Sequence, residues 1–179
     1  MNQTSVIAIP RPGANEYNPY YATYISKVGG DDALPALESQ IGQTLALLGT
    51  VDESRALHRY GEGKWSIKEV VGHLTDAERV FGYRALRFGR ADFTPLPGFD
   101  ENAYVPAARF DAQSYRELVA AYGRVRAASV DLFRSLDSEA LARVGEASGK
   151  PISVRALAWI IAGHELHHVA LLRERYGVK

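Results

Sequence analysis

The sequence predicts an all-α protein: a four-helix bundle with one long crossover loop and an extended N-terminal arm. Three observations predict it. Four stretches carry apolar residues at helical spacing, with capping residues before them or glycine after them. Almost no stretch alternates apolar and polar residues as a half-buried strand does. One connection, residues 91–110, is long enough to link two helices across a bundle.

The arm comes first, over residues 1–32. Pro10, Pro12 and Gly13 break regular structure, and Tyr17, Tyr20, Tyr21 and Tyr24 follow closely. Such rings are expected to pack on the main body, with a binding role as the alternative. Residues 33–179 then read as a single bundle domain. Its first helix runs from Asp32 to Leu48, with Leu34, Leu37, Ile41, Leu45 and Leu48 on one stripe. The second has the clearest start. Ser66 is its N-cap and Glu69 stands three residues on, a capping box, while Trp65 and Val70 are spaced for a hydrophobic staple. It runs to Phe88, and Gly89 suits its end.

The connection Ala91–Phe110 holds Pro95, Pro97, Gly98 and Pro106. It reads either as a functional loop or as a plain crossover. The third helix is expected from an N-cap at Asp111 to Leu136, with a short helical turn after Asp137 and a break at Ser148–Pro151. Ser153 caps the fourth helix, which runs to Tyr176 before Gly177.

Bulk properties exclude several classes. The 21 basic residues balance the 21 acidic ones, so nothing pulls the chain as a whole toward nucleic acid or an anionic membrane. With no cysteine there are no disulfides, thiolate ligands or cysteine nucleophile. No apolar run approaches a membrane span, and Met1–Pro10 lacks the pattern of a secretory signal, so the expected location is cytoplasmic.

Chemistry concentrates in the histidines. Of five, His164, His167 and His168 fall in one turn of the fourth helix. At 100° per residue, Leu157, Ile161, His164, His168 and Leu172 share a stripe, so His164 and His168 point into the core one turn apart. His167 lies at the edge of that stripe, and His58 reads as a surface residue. On the second helix, Val70, Leu74, Ala77 and Phe81 form the apolar stripe with His73 at its margin. One divalent cation would satisfy nitrogens that otherwise cost about 1–3 kcal/mol each when buried without partners. His73, His164 and His168 are therefore the candidate metal ligands. The other reading is a set of core histidines satisfied by ordinary hydrogen bonds.

Glu69, Asp76 and Glu165 are candidate catalytic carboxylates by proximity alone, and Glu69 or Asp76 could orient His73. Asp100 and Glu101 either cover an open coordination position or form a turn at the bundle end. The run His164-Glu165-Leu166-His167-His168 also matches the zinc-protease pattern in which the glutamate is the base. Against that reading, only eleven residues follow His168, and no substrate-binding sheet edge is expected. A second apolar face on the fourth helix, with Trp159, Ala162, Leu166, Val169 and Ala170, calls for a covering partner: the arm or a second subunit.

Three segments carry a resemblance: Gly63-Lys64-Trp65-Ser66-Ile67-Lys68-Glu69-Val70 continuing to Gly72-His73-Leu74, then Leu96-Pro97-Gly98-Phe99-Asp100-Glu101, and Gly163-His164-Glu165-Leu166-His167-His168. With the tyrosine-rich arm, they make the chain resemble the DinB/YfiT-like superfamily, in particular its DinB-like branch. The resemblance implies a four-helix bundle, a homodimer, and a metal triad that falls on His73, His164 and His168. It also implies a small-molecule substrate and chemistry by thiol transfer, with a low-molecular-weight thiol as cosubstrate, or by hydrolysis. Three neutral ligands would leave one divalent ion, Zn or Ni first among candidates, with its full charge and an open position. The rival readings are a non-catalytic metal-binding protein and a protein-interaction module.

Overall fold

The computed structural model describes residues 8–179. The part of the arm before Ala8 lies outside the described residues. Seven helices and one hairpin follow in order: α1 (Ala22–Ile25), α2 (Ala33–Leu48), α3 (Ile67–Gly89), α4 (Glu101–Ala108), α5 (Tyr115–Arg134), α6 (Ser138–Ala142), β1 (Val144–Ala147), β2 (Lys150–Ser153) and α7 (Val154–Glu174). Helices α2, α3, α5 and α7 form the four-helix bundle that the periodicity predicts.

The caps explain where these helices begin. Asp32 accepts from the Leu34 amide and also from Ile9, so one carboxylate starts α2 and ties down the arm. Ser66 and Glu69 form the expected reciprocal capping box on α3. Ser153 caps α7 through the Ala156 amide. The third bundle helix departs from expectation. Its cap is Ser114, which accepts from Glu117, and not Asp111. Asp111 lies in a 3₁₀ turn, where its carboxylate accepts from Ser66 Oγ at 2.5 Å and from Arg59 at 2.6 Å. Engaged by both, it is not free to cap.

Helix α3 packs beside α5 and α7, and α2 packs beside the same two, which leaves α2 opposite α3 across the bundle. The first turns of α3 and α5 share one apolar cluster with the last turns of α2 and α7. Thus α3 and α5 are parallel neighbours, and the chain must return the length of the bundle between them. Residues 91–110 make that return, and they are not wholly irregular. Asp100 caps α4, which contains Pro106 and ends at a left-handed Arg109.

The break expected at Ser148–Pro151 is instead the turn of a hairpin. β1 and β2 pair antiparallel through Ser148 and Gly149, both at positive φ (56° and 70°), as a tight right-twisted hairpin requires. The hairpin lies on Phe88 at Gly145, where an added Cβ would come within 2.3 Å of the ring. Leu96 bonds to it on both sides, donating to Glu146 and accepting from Ser148. The return loop and the hairpin thus converge at one end of the bundle.

The arm covers the first part of the second apolar face of α7, while Leu166, Val169 and Ala170 stay half-buried. Trp159 is fully buried, donates to the Ile9 and Pro10 carbonyls, and lies under the Arg11 guanidinium at 4.1 Å. Gly163 permits the closest approach: a Cβ there would stand 2.1 Å from the Tyr24 carbonyl oxygen. Among the described residues no helix is long and apolar enough to cross a membrane.

Candidate metal centre

The apolar core is split. One cluster gathers around the first half of α7, with Phe81, Phe88 and Phe133. The other gathers around its last turn, with Leu48, Leu74 and Tyr122. Between them runs a layer of buried polar side chains: His73 and Glu78 on α3, Arg126 on α5, and His164, Glu165 and His168 on α7. Polar groups in a core need partners. This layer meets that need in two separate ways.

On one side, Arg126 is clamped between carboxylates. It donates to both Glu78 oxygens at 2.8 and 3.0 Å, and to Glu165 Oε2 at 2.6 Å. All three residues are 3 % exposed or less. Glu165 therefore faces Arg126, away from the imidazoles, as its 100° offset from His164 allows.

On the other side, the three histidines turn their Nε2 atoms toward one point. His73 Nε2 and His168 Nε2 each lie 3.1 Å from His164 Nε2. An imidazole nitrogen carries one hydrogen or one lone pair, in the ring plane. His164 Nε2 can therefore make one linear hydrogen bond, not two. A cation would take all three lone pairs together. Donor atoms bound to one ion at about 2.0–2.1 Å stand roughly 2.9–3.4 Å apart, the range from octahedral to tetrahedral geometry. Both separations from His164 fall inside it, and the three donor atoms lie within 4.8 Å of one another, so the donor set fits a divalent ion. Burial pushes the His73 imidazolium down to about 4, with His167 adding to the shift, and it holds His164 and His168 well below the usual imidazole range. The rings are thus neutral, the form that ligates metal.

Aromatic rings fix the histidines. Trp65 lies 4.8 Å from His73, and Tyr24 meets His164 edge-on at 5.2 Å. Tyr24 also meets His167, which is half-buried at the edge of the group, while His58 is exposed. His168 Nδ1 is buried with no protein partner.

A cleft of about 120 Å³ reaches His73 and His164 from the surface. Its walls are Tyr20, Tyr21 and Tyr24 of the arm, Phe81 of α3 and Phe99 of the return loop. Its polar rim is Glu101 and Ser148. Of the three carboxylates singled out in the sequence, none reaches a ring nitrogen. Glu69 is engaged by the Ser66 amide and Arg59, Asp76 pairs with Arg79, and Glu165 with Arg126. Glu101 is the carboxylate that lines the cleft. The sequence points to it in the pair Asp100 and Glu101, read either as a cover over an open coordination position or as a turn at the bundle end; Asp100 caps α4 and Glu101 lines the cleft. Ser148 and the arm tyrosines gave no sign of converging there.

The fold and site define a helical bundle with a buried three-histidine cluster, two of whose rings line a cleft. The chain belongs to the DinB superfamily, whose family model matches residues 36–172. Among solved structures it is similar to YfiT from Bacillus subtilis, described as a probable metal-dependent hydrolase with an unusual four-helix bundle topology. The TM-score is 0.70 at 18 % identity over 94 % of each chain, a likeness of fold. No curated protein matches the chain.

Proposed function

We propose that the protein is a metal-dependent hydrolase of a small molecule, with one divalent ion held by His73, His164 and His168. The convergence of three neutral imidazoles, two of which, His73 and His164, line an open cleft, carries this reading. A closed structural site would have no such opening. A divalent ion there supplies a Lewis acid that lowers the pKa of water or a thiol.

The chain's own groups supply the rest. The imidazoles are kept neutral by burial, and Tyr24 and Trp65 hold two of the rings in place. Phe81, Phe99 and the arm tyrosines keep the cleft narrow and exclude bulk water. Glu101 is placed at the rim to take a proton at its carboxylate. The similarity to YfiT supports hydrolysis. Thiol transfer is the second reading. It draws on the same neutral donor set, and because the chain has no cysteine the thiol would be a small cosubstrate. Zn and Ni are the first ions to load. A homodimer is part of the proposal, on a face other than the one the arm covers.

The test is turnover by the zinc- and nickel-loaded protein on chromogenic esters and lactams, with a parallel arm offering a small thiol and an electrophile. Hydrolysis is expected, with Glu101→Gln lowering kcat about 10²-fold or more while metal content stays unchanged. Turnover only in the thiol arm replaces hydrolysis with transfer. Metal-loaded protein inert in both arms overturns the enzyme reading.

A further inference from the structure

Arg84, one turn beyond Phe81 on α3, is 2 % exposed. A buried guanidinium normally has a carboxylate partner. Among the described residues none lies within ion-pair distance of it. Its protein partners are neutral oxygens: Nη2 donates to the Pro97 carbonyl at 3.0 Å and to Ser148 Oγ at 3.2 Å. Phe81 and Phe99 flank the group, with centroids 5.9 and 5.8 Å from its central carbon. Guanidinium has five N–H donors in a planar fork. The remaining neighbour is the Tyr21 hydroxyl, whose ionised form the guanidinium favours through a hydrogen bond and its charge, so every partner Arg84 has among the described residues is an uncharged oxygen.

Arg84 is also a wall of a cavity of about 90 Å³ that holds Lys150 as well. Tyr20, Tyr21 and Ser148 line both this cavity and the cleft over the histidines, so the two are neighbours. The Phe81 ring stands between them, 5.9 Å from the guanidinium on one side and 6.2 Å from the His164 ring on the other. Two cations, a serine hydroxyl and two phenols thus surround a space with no anionic group in its lining, one aromatic ring away from the candidate metal centre.

We propose that Arg84, with Lys150 and Ser148, forms a carboxylate-binding subsite, and that the substrate is a small carboxylic acid whose carboxylate docks there while its reactive group reaches the histidines. The planar fork matches a carboxylate in two parallel hydrogen bonds. Burial between Phe81 and Phe99 strengthens them by excluding water. The small volume suits a carboxylate better than a bulky anion. The second half of this statement rests on the proposed metal-dependent function, whereas the subsite itself does not.

The test therefore separates the two. Acetate, and inorganic phosphate in parallel, are titrated at constant ionic strength into the full chain, chelator-treated and zinc-loaded, following the Arg84 Nε–H resonance by NMR. Saturable acetate binding is expected in both forms. It should weaken tenfold or more in Arg84→Gln and severalfold in Lys150→Met, and persist in His73→Ala. Lys150 is exposed, so its variant remains informative if Arg84→Gln fails to fold. A wild-type resonance that does not move, or equal affinity in Lys150→Met and wild type, overturns the subsite. Tighter phosphate than acetate overturns its assignment to carboxylates. Loss of zinc binding with acetate binding retained would strike the metal reading alone.

Discussion

Replacing Arg126 with leucine tests how the bundle sets the rotation of α7, and with it the aim of His164 and His168. Arg126 is 1 % exposed and makes three charge-assisted hydrogen bonds, two to Glu78 and one to Glu165. Its removal leaves two carboxylates, themselves 3 % and 1 % exposed, with no countercharge. Breaking a buried ion network by removing one partner costs about 3–5 kcal/mol. For a chain of this size, 1 kcal/mol moves Tm by roughly 2–4 °C, so a fall of about 6–20 °C is expected. Urea unfolding supplies the free energy directly. The triple variant Arg126→Leu, Glu78→Met, Glu165→Met carries no buried charge in this layer and should recover most of the loss. Glu165→Gln separates two roles for Glu165: a base facing the cleft would lose activity with stability unchanged, whereas a clamped carboxylate loses stability. Arg126→Leu within about 1 kcal/mol of wild type, or a triple variant no better than the single one, would refute the reasoning.

Gly163→Ala should force the arm from α7, because the new methyl would stand 2.1 Å from a backbone carbonyl that no rotamer change can move. A loss of about 1–3 kcal/mol and faster proteolysis within residues 8–32 are expected; unchanged cleavage would contradict the packing. Acid should weaken the arm's other attachment, Glu16 to Arg155. Burial opposes the Glu16 charge, but hydrogen bonds from Arg155, the Gly13 amide and Ser153 hold its pKa at about 2 against an ordinary 4.5. A depressed carboxyl stabilises the fold above its unfolded pKa, so this contribution is complete above about pH 5 and is lost as the pH falls through 4.5 toward 2. The wild-type minus Arg155→Met stability difference should shrink across that window, and a difference independent of pH would contradict the assignment.

Much of the fold is legible because its signals are local. The Ser66–Glu69 capping box, Ser153 and Asp32 each place a helix start with atoms a few residues apart. What escaped depends on distant chain. Asp111 has the chemistry of a cap, but Ser66 and Arg59 claim it from across the fold. α4 is hidden by Pro106, which stands inside the helix past the first turn, where a proline reads as a break. The hairpin has strands of four residues containing Gly145, Glu146 and Pro151, poor strand formers, and it is held by packing on Phe88 and bonding to Leu96. The site divides in the same way. His164 and His168 are readable from an i, i+4 spacing, and His73 from its place beside an apolar stripe. Of the cleft, Glu101 is readable as one of two alternatives, but its meeting with Tyr24 and Ser148 is not, since the three come from separate segments. Glu165 shows the limit of a short motif: adjacency in sequence to a candidate ligand placed it near the metal, and the turn of the helix carried it to Arg126.

The most direct test of the metal centre is ion stoichiometry by mass spectrometry on tag-free protein, beside His73→Ala and His168→Ala. The expected result is near one divalent ion per wild-type chain after incubation with Zn²⁺ or Ni²⁺, and loss of that ion in both variants while they remain folded. Wild-type protein that stays metal-free after the same incubation would contradict the centre and leave the three histidines as a structural cluster.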